Sequence, residues 1–288
     1  MLLADWKDYE IIDASRGMKL ERWKDIYLLR PDPQIVWDNG DLLKKYYNKI
    51  DAVYHRSNKG GGSWENLKKI PSRWEIEYKG LIFNIKQMGF KHTGLFPEQG
   101  VNWDFMINKI KKNNRKIKVL NLFAYTGGAT IACMSAGAHV THVDSSRGMV
   151  DWCKENVSSS KLNETSVRYI VDDVLKFVKR EIRRGNKYDA IIMDPPSYGR
   201  GVNGEVWNIE DSLSELVNLC SELLSEEPLF FLINSYTTGL SSMVLENILK
   251  LSIKTPGIIT SGEVGLPITN NDLVLSCGIY GRWESKEE

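Results

Sequence analysis

The sequence is poor in the residues from which metal and disulfide chemistry is built. Its 288 residues include only four cysteines, Cys133, Cys153, Cys220 and Cys277, and no two of them form a Cys-x-x-Cys pair. That scatter excludes a disulfide scaffold and a zinc ribbon, and leaves the thiols reduced and mostly buried. The four histidines, His55, His92, His139 and His142, fall at no ligand spacing, so no metal site is expected. No apolar run approaches the roughly 18 residues that a membrane helix needs. Asp5, Asp8 and Glu10 stand where a signal peptide would be apolar. A cytoplasmic protein with no membrane contact is expected. Net charge is also nearly absent, at +1.

What remains is the composition of an ordinary globular protein, 42% hydrophobic and 26% charged, long enough for one large or two modest domains. The near-neutral total hides an asymmetry: residues 1–95 carry 17 Lys and Arg against 13 Asp and Glu, and the rest of the chain 21 against 24. Within 42–74 the cations Lys44, Lys45, Lys49, Arg56, Lys59, Lys68, Lys69 and Arg73 face only Asp51 and Glu65, interleaved with Tyr46, Tyr47, Tyr54, Trp64 and Trp74. Cations neutralise phosphates and aromatic faces stack on bases, so the mixture suits single-stranded or looped nucleic acid. A solvated face above core aromatics accounts for it equally well.

The first 95 residues are punctuated by turn signals, Arg30-Pro31-Asp32-Pro33, Asn39-Gly40, Asn58 to Ser63 and Lys79-Gly80. Trp74 to Tyr78 alternates apolar with polar, a Lys-Gly turn follows, and Leu81 to Ile85 completes a predicted β-hairpin. The expectation is a β-rich N-terminal domain over 1–93, with a helix across Leu42 to Ile50, and a second domain over 94–288. From Ile117 onward, short apolar runs at 117–123, 139–144, 167–171, 188–193 and 228–233 alternate with helix-length amphipathic segments. That alternation predicts a parallel sheet covered on both faces, with ligands bound beyond the carboxyl ends of its strands.

The first four of those ends each carry a ligand-type feature. The first runs into Asn121-Leu122-Phe123-Ala124-Tyr125-Thr126-Gly127-Gly128, where glycines admit close backbone approach and a helix N-terminus supplies N–H groups. It is not the Gly-x-Gly-x-x-Gly fingerprint, and a merely tight turn is the alternative. The second ends in Asp144, followed by Ser145; Asp144 can accept from ribose hydroxyls, and either residue can instead cap the next helix. The third ends in Asp172-Asp173, where Asp173 first and Asp172 second are candidates for an adenine amino group, again with capping as the alternative. The fourth delivers Asp194-Pro195-Pro196-Ser197-Tyr198. Two prolines lock φ and remove donors, so the carbonyls after Asp194 are expected to be free to accept from a planar amino group while Tyr198 stacks on it.

The four features, in this order, resemble the class I S-adenosylmethionine-dependent methyltransferases, and the strand-like 273–280 resembles the antiparallel last strand of that fold. More narrowly, Arg30 to Gln34, His92 to Gln99 and Asn102-Trp103-Asp104 resemble a bacterial subgroup related to the 23S ribosomal RNA methyltransferases. The resemblance implies an α/β, Rossmann-like sheet, mostly parallel, with a small β-rich N-terminal domain. It implies S-adenosyl-L-methionine as cofactor and S-adenosyl-L-homocysteine as product. It assigns the 121–128 loop to the methionine moiety, Asp144 to the ribose, Asp173 to the adenine, Phe96 and Gln99 to a cover over the cofactor, and the Asp194 to Tyr198 loop to the methyl group and its acceptor.

Cytosine carbon 5 needs a cysteine thiolate to add at carbon 6. In cytosine-5 relatives the cysteine follows the fifth strand, where this chain has Ser235-Tyr236-Thr237. A nitrogen needs no adduct, only placement about 3 Å from the methyl carbon and an acceptor for its proton. A purine nitrogen in RNA, ribosomal RNA above all, is therefore the expected target. A protein side-chain amide or a small molecule is the alternative. A nicotinamide oxidoreductase leaves the Asp-Pro-Pro loop unexplained, and a non-enzymatic RNA-binding relic leaves all four strand ends unexplained.

Overall fold

The computed structural model describes residues 2–57, 61–200, 204 and 206–286. Lys59 and the Asn58 to Gly60 part of the expected turn lie outside the described residues. The chain divides into two compact units, Leu2–Val101 with Gly265–Cys277, and Asn102–Val264 with Gly278–Glu288.

The first unit begins with the two-residue strand β1 (Leu2–Leu3) and a five-stranded sheet of β2 (Tyr9–Ser15), β3 (Met18–Trp23), β4 (Ile26–Pro31), β5 (Ala52–Arg56) and β6 (Gly62–Asn66), in that spatial order. Pairing is antiparallel except between β4 and β5, whose parallel register requires a crossover. The crossover carries α1 (Leu42–Tyr46), capped by Asp41, whose carboxylate accepts from the Lys44 amide at 3.1 Å. The helix is shorter than the 42–50 expectation. After Tyr46 the chain tightens into a turn, with the Lys49 amide on the Tyr46 carbonyl at 2.8 Å, and this drops Ile50 into the core with Leu42, Ile12, Leu20, Leu29 and Val53. The predicted hairpin forms β7 (Trp74–Tyr78) and β8 (Leu81–Ile85), joined by Lys79 at φ 50° and Gly80 at φ 86°. Both central residues are left-handed, the turn whose twist matches paired strands.

The second unit opens on α2 (Gly100–Lys111) and alternates β9 (Lys118–Leu122), α3 (Gly128–Ser135), β10 (His139–Asp144), α4 (Arg147–Ser159), β11 (Val167–Val171), α5 (Val174–Arg183) and β12 (Ala190–Met193). A small hairpin, β13 (Tyr198–Arg200) and β14 (Val206–Asn208), then precedes α6 (Ile209–Ser221), β15 (Phe230–Ser235), α7 (Ser242–Ser252), β16 (Ile258–Pro267) and β17 (Val274–Glu284). Seven strands of the sheet run β16-β17-β15-β12-β9-β10-β11. The pairs from β15 to β11 are parallel, and β17 is antiparallel to β15. Strand order reverses at β9, between β10 and β12, which places the ligand crevice at their carboxyl ends. β12 is apolar throughout and its neighbours β9 and β15 are mostly so, because both faces are covered. On one face α5, α6 and α7 bury Phe177, Leu213, Val217 and Leu245 against Leu122, Ile191, Phe231 and Ile233. On the other, α2 packs Phe105 edge-on to Phe230 and Met106 on Cys133 of α3. Residues 265–277 group with the first unit because the Thr269 and Asn270 amides donate to Ile11 and Ile12 of β2.

Candidate active site

Register brings the four strand ends side by side. Leu122 lies opposite Val143 and Met193, and Asp144 opposite Val171. β9 stops one residue short of expectation because Phe123 leaves the strand at φ 51°, followed by Tyr125 at 50° and Gly127 at 84°. Two bulky residues in the left-handed region are backbone strain held by their surroundings. The holding contacts are the Ala124 amide on the Val143 carbonyl at 3.0 Å and the Tyr125 amide on Asp144 Oδ2 at 2.8 Å. Buried Thr126 accepts from the Asn156 side chain at 2.8 Å through its carbonyl.

The glycines serve close packing. A β-carbon on Gly127 would lie 2.1 Å from Cys153 Sγ, and one on Gly128 2.8 Å from the Trp103 ring. Gly127 is also the N-cap of α3 and brings no side chain to cap it, so the first-turn N–H groups face the crevice with the positive end of the helix dipole. Beneath the loop, Asn121 donates to Thr130 Oγ1 at 2.9 Å, which meets His142 Nδ1 at 2.9 Å; burial lowers the His142 pKa to about 3 and keeps the ring neutral. The Asn121 side chain is thus engaged beneath the loop.

Asp144 is the hinge of the site. Its second oxygen accepts from the Ser146 amide at 2.8 Å, and Ser146, not Asp144 or Ser145, is the N-cap of α4. Ser145 is exposed. Burial raises the Asp144 pKa and the two amides pull against it. Asp172 is tied by its own amide to Asp144, whose carbonyl accepts at 3.1 Å, and by its carboxylate to Arg180. Asp173 caps α5, accepting from the Lys176 amide at 2.9 Å.

After β12, Asp194 is partly buried and Pro196, Ser197 and Tyr198 are exposed, with Tyr198 55% exposed. Contrary to expectation, the carbonyls after Asp194 are not all free. Trp207 Nε1 donates to the Pro196 carbonyl at 2.6 Å, and the Ser197 carbonyl accepts from the Ile209 amide at 3.1 Å. Trp207 also packs on Phe123 with ring centroids 5.0 Å apart, so one indole braces the 194–198 loop against the 123–128 loop. No sequence signal marks it, because an isolated tryptophan ahead of a helix has no distinctive spacing. Ser197 Oγ meets Thr237 Oγ1 at 2.7 Å, joining the turn after β15 to the same loop. Phe96 and Gln99 belong to the first unit, where Phe96 lies 5.4 Å from the His92 ring and Gln99 is buried.

These residues fit S-adenosylmethionine. A bare helix N-terminus suits the methionine carboxylate, and the buried carboxylate at the end of β10 suits the ribose. Among the described residues, no group of three His, Cys, Asp or Glu side chains is placed to hold a metal, and no helix is long and apolar enough to cross a membrane.

The family model for S-adenosylmethionine-dependent methyltransferases matches residues 51–250. The chain belongs to this family. A crystal structure of the SAM-dependent methyltransferase from Agrobacterium tumefaciens superposes with TM-score 0.94 at 34% identity, over 99% of this chain and 94% of that one. A methyltransferase crystallised with SAH shares the fold, with TM-score 0.74 at 18% identity over 98% of this chain and 76% of that one. A ribosomal RNA large subunit methyltransferase K/L from Syntrophotalea carbinolica is 27% identical over 79% of this chain and 31% of its own length. A ribosomal RNA large subunit methyltransferase I from Enterobacter is 32% identical over 44% of this chain and 32% of its own. The chain spans about a third of the length of these two curated relatives. The Rossmann-like sheet, the antiparallel last strand and the cofactor are those the motifs implied.

Proposed function

We propose that the chain methylates a ring or exocyclic nitrogen of a nucleobase in RNA, ribosomal RNA in particular. The observation that carries the reading is the make-up of the acceptor edge. The turn after β15 that reaches the Asp194 to Tyr198 loop presents Thr237 and not a thiol. Cys133, Cys153 and Cys220 lie buried in α3, α4 and α6, and Cys277 lies in β17. With no thiolate at that edge, activation of cytosine carbon 5 lacks its nucleophile, whereas a nitrogen already carries the attacking electron pair. The names of the ribosomal RNA methyltransferase relatives support an RNA acceptor.

In this reading the Phe123 to Gly128 loop and α3 hold the methionine moiety, with Asn121 buttressing the loop from below. Asp144 holds the ribose, and Asp173 or Asp172 the adenine, while Phe96 and Gln99 cover the cofactor. S-adenosylmethionine supplies an activated methyl group and leaves as S-adenosylhomocysteine. Asp194 and the Pro195 carbonyl orient the acceptor amino group by accepting from its N–H donors, and the Asp194 carboxylate takes the proton released on methylation. Tyr198 stacks on the base, and Pro196 and Ser197 set the loop through Trp207 and Thr237. A base in helical RNA must leave its stack to reach this edge. Residues 1–93 act as the RNA-binding module.

The test is transfer of radiolabelled methyl from S-adenosylmethionine to total cellular RNA and, in parallel, to total protein, followed by nucleoside analysis. Label in one N-methylated purine is expected. Label confined to protein, or carried on carbon 5 of a pyrimidine, would overturn the reading.

A further inference from the structure

The first unit concentrates cations at one end of its sheet. Lys19 of β3 lies opposite Arg30 of β4 in the strand register. The carboxylate of Glu21, fully buried, accepts from Arg30 Nε at 2.5 Å and Nη2 at 2.7 Å, and Lys19 Nζ lies 3.5 Å from it. Asp32 pairs with Lys19 at 3.3 Å. Lys91 is bound into the same cluster, because its backbone carbonyl accepts from Arg30 Nη1 at 2.7 Å and its ammonium lies 3.5 Å from the Pro31 carbonyl.

The two acids that pair here are therefore taken by Lys19 and Arg30, and buried Glu98 adds its field to Arg30. Lys91 has no carboxylate within ion-pair distance among the described residues. Neither has Arg56, exposed at the end of β5 and close enough to be felt by Lys91. Burial lowers the Lys91 pKa, and Lys19, Arg30 and Arg56 lower it further against the pull of Asp32. Burial and the charges of Arg30, Lys91 and Lys19 hold His92 neutral, with a pKa of about 4. A half-buried ammonium among like charges is stabilised by any anion that reaches it. The residue before it in the chain, Phe90, presents a ring that is 60% exposed.

We propose that Lys91 and Arg56 bind the phosphodiester backbone of single-stranded RNA, with the Phe90 ring offered to an unstacked base; this rests on the RNA reading above. A point-charge ammonium and a planar guanidinium suit successive phosphates, and an exposed aromatic beside them suits a base face. The exposed cations Lys44 and Lys69 carry the same sign of charge on this unit.

The experiment is fluorescence anisotropy of a labelled single-stranded RNA oligonucleotide with the full chain, from about 50 to about 200 mM salt. The slope of log affinity against log salt is compared among wild type, Lys91→Gln, Arg56→Gln and Phe90→Ala. Each lost phosphate contact should flatten the slope by about 0.7, and the double Lys91→Gln/Arg56→Gln variant by about 1.4. Phe90→Ala should weaken binding by about 5-fold to 150-fold with the slope unchanged, because stacking releases no counterions. All variants should keep the wild-type affinity for S-adenosylhomocysteine. Should Lys91→Gln fail to fold, Arg56→Gln, at an exposed residue, still decides. Wild-type slopes in both lysine and arginine variants would overturn this site while leaving the RNA reading standing. A wild type that binds no RNA at low salt would overturn both.

Discussion

Alanine at Gly127 should separate two demands that meet at one backbone position. The residue sits at φ 84°, and a β-carbon there would lie 2.1 Å from Cys153 Sγ and 3.0 Å from Cys153 Cβ. A left-handed conformation costs a non-glycine residue about 1–2 kcal/mol. Forcing an atom into a filled space costs about 1–3 kcal/mol more. Gly127→Ala should therefore lower stability by about 2–5 kcal/mol and weaken S-adenosylhomocysteine binding, since the displaced loop carries Tyr125 and the start of α3. Cys153→Ala removes the 2.1 Å contact and keeps the milder 3.0 Å one to Cβ, so in that background Gly127→Ala should cost little more than the conformational cost of about 1–2 kcal/mol. Guanidinium unfolding of the four proteins gives the cycle, and a coupling of about 1–3 kcal/mol is the expected result. Equal costs in the two backgrounds would refute the close approach of the loop to α4.

Three further outcomes follow from the same geometry. Burial alone would raise the Glu21 pKa, yet Arg30 and Lys19 outweigh it and hold it at about 2 against an ordinary 4.5. Its stabilisation is therefore complete above pH 4.5 and lost as pH falls toward 2; Glu21→Gln should cost about 3–5 kcal/mol at neutral pH and remove that acid dependence, as read by thermal unfolding against pH. Tyr198→Ala should lower methyl transfer to RNA by about tenfold, within the range of one lost base stack, with S-adenosylhomocysteine affinity unchanged; full turnover would end its role in base recognition. Burial pushes all four thiols above their ordinary pKa of 9.0. Iodoacetamide should accordingly leave transfer activity intact and RNA containing 5-fluorocytosine should form no covalent adduct, an adduct on gel electrophoresis being the contrary result.

The catalytic sheet was legible because its central strands are buried on both faces and so read as short, mostly apolar runs, each followed by a residue type that a strand end needs. The hairpin over 74–85 was legible for a similar reason, alternation closed by Lys-Gly. What the sequence concealed depends on partners distant in the chain. Nothing local marks residues 265–277 as neighbours of Ile11 and Ile12, or Cys153 and Trp103 as the walls against which Gly127 and Gly128 fit. The tie from Trp207 to Pro196 crosses a hairpin whose pairing follows from three residues on each side, too short a signal to read from alternation. At Asp173 the capping alternative is what the carboxylate does in this structure, and its other oxygen is where an adenine contact has to be sought.

The ends of β9, β10, β11 and β12 are expected to build a single cofactor site hinged on Asp144. Calorimetric titration of S-adenosylhomocysteine into wild type and Asp144→Asn across pH tests it directly. Losing a hydrogen bond to an ionised group is worth about 1.5–3 kcal/mol, so the variant should bind about 10-fold to 150-fold more weakly. In the wild type, burial has raised the Asp144 pKa above 3.8. The ionised form accepts from the ribose, so affinity should decline as pH falls while still above 3.8, and the variant should show no such decline. Wild-type affinity in Asp144→Asn, with the same pH profile, would contradict the account.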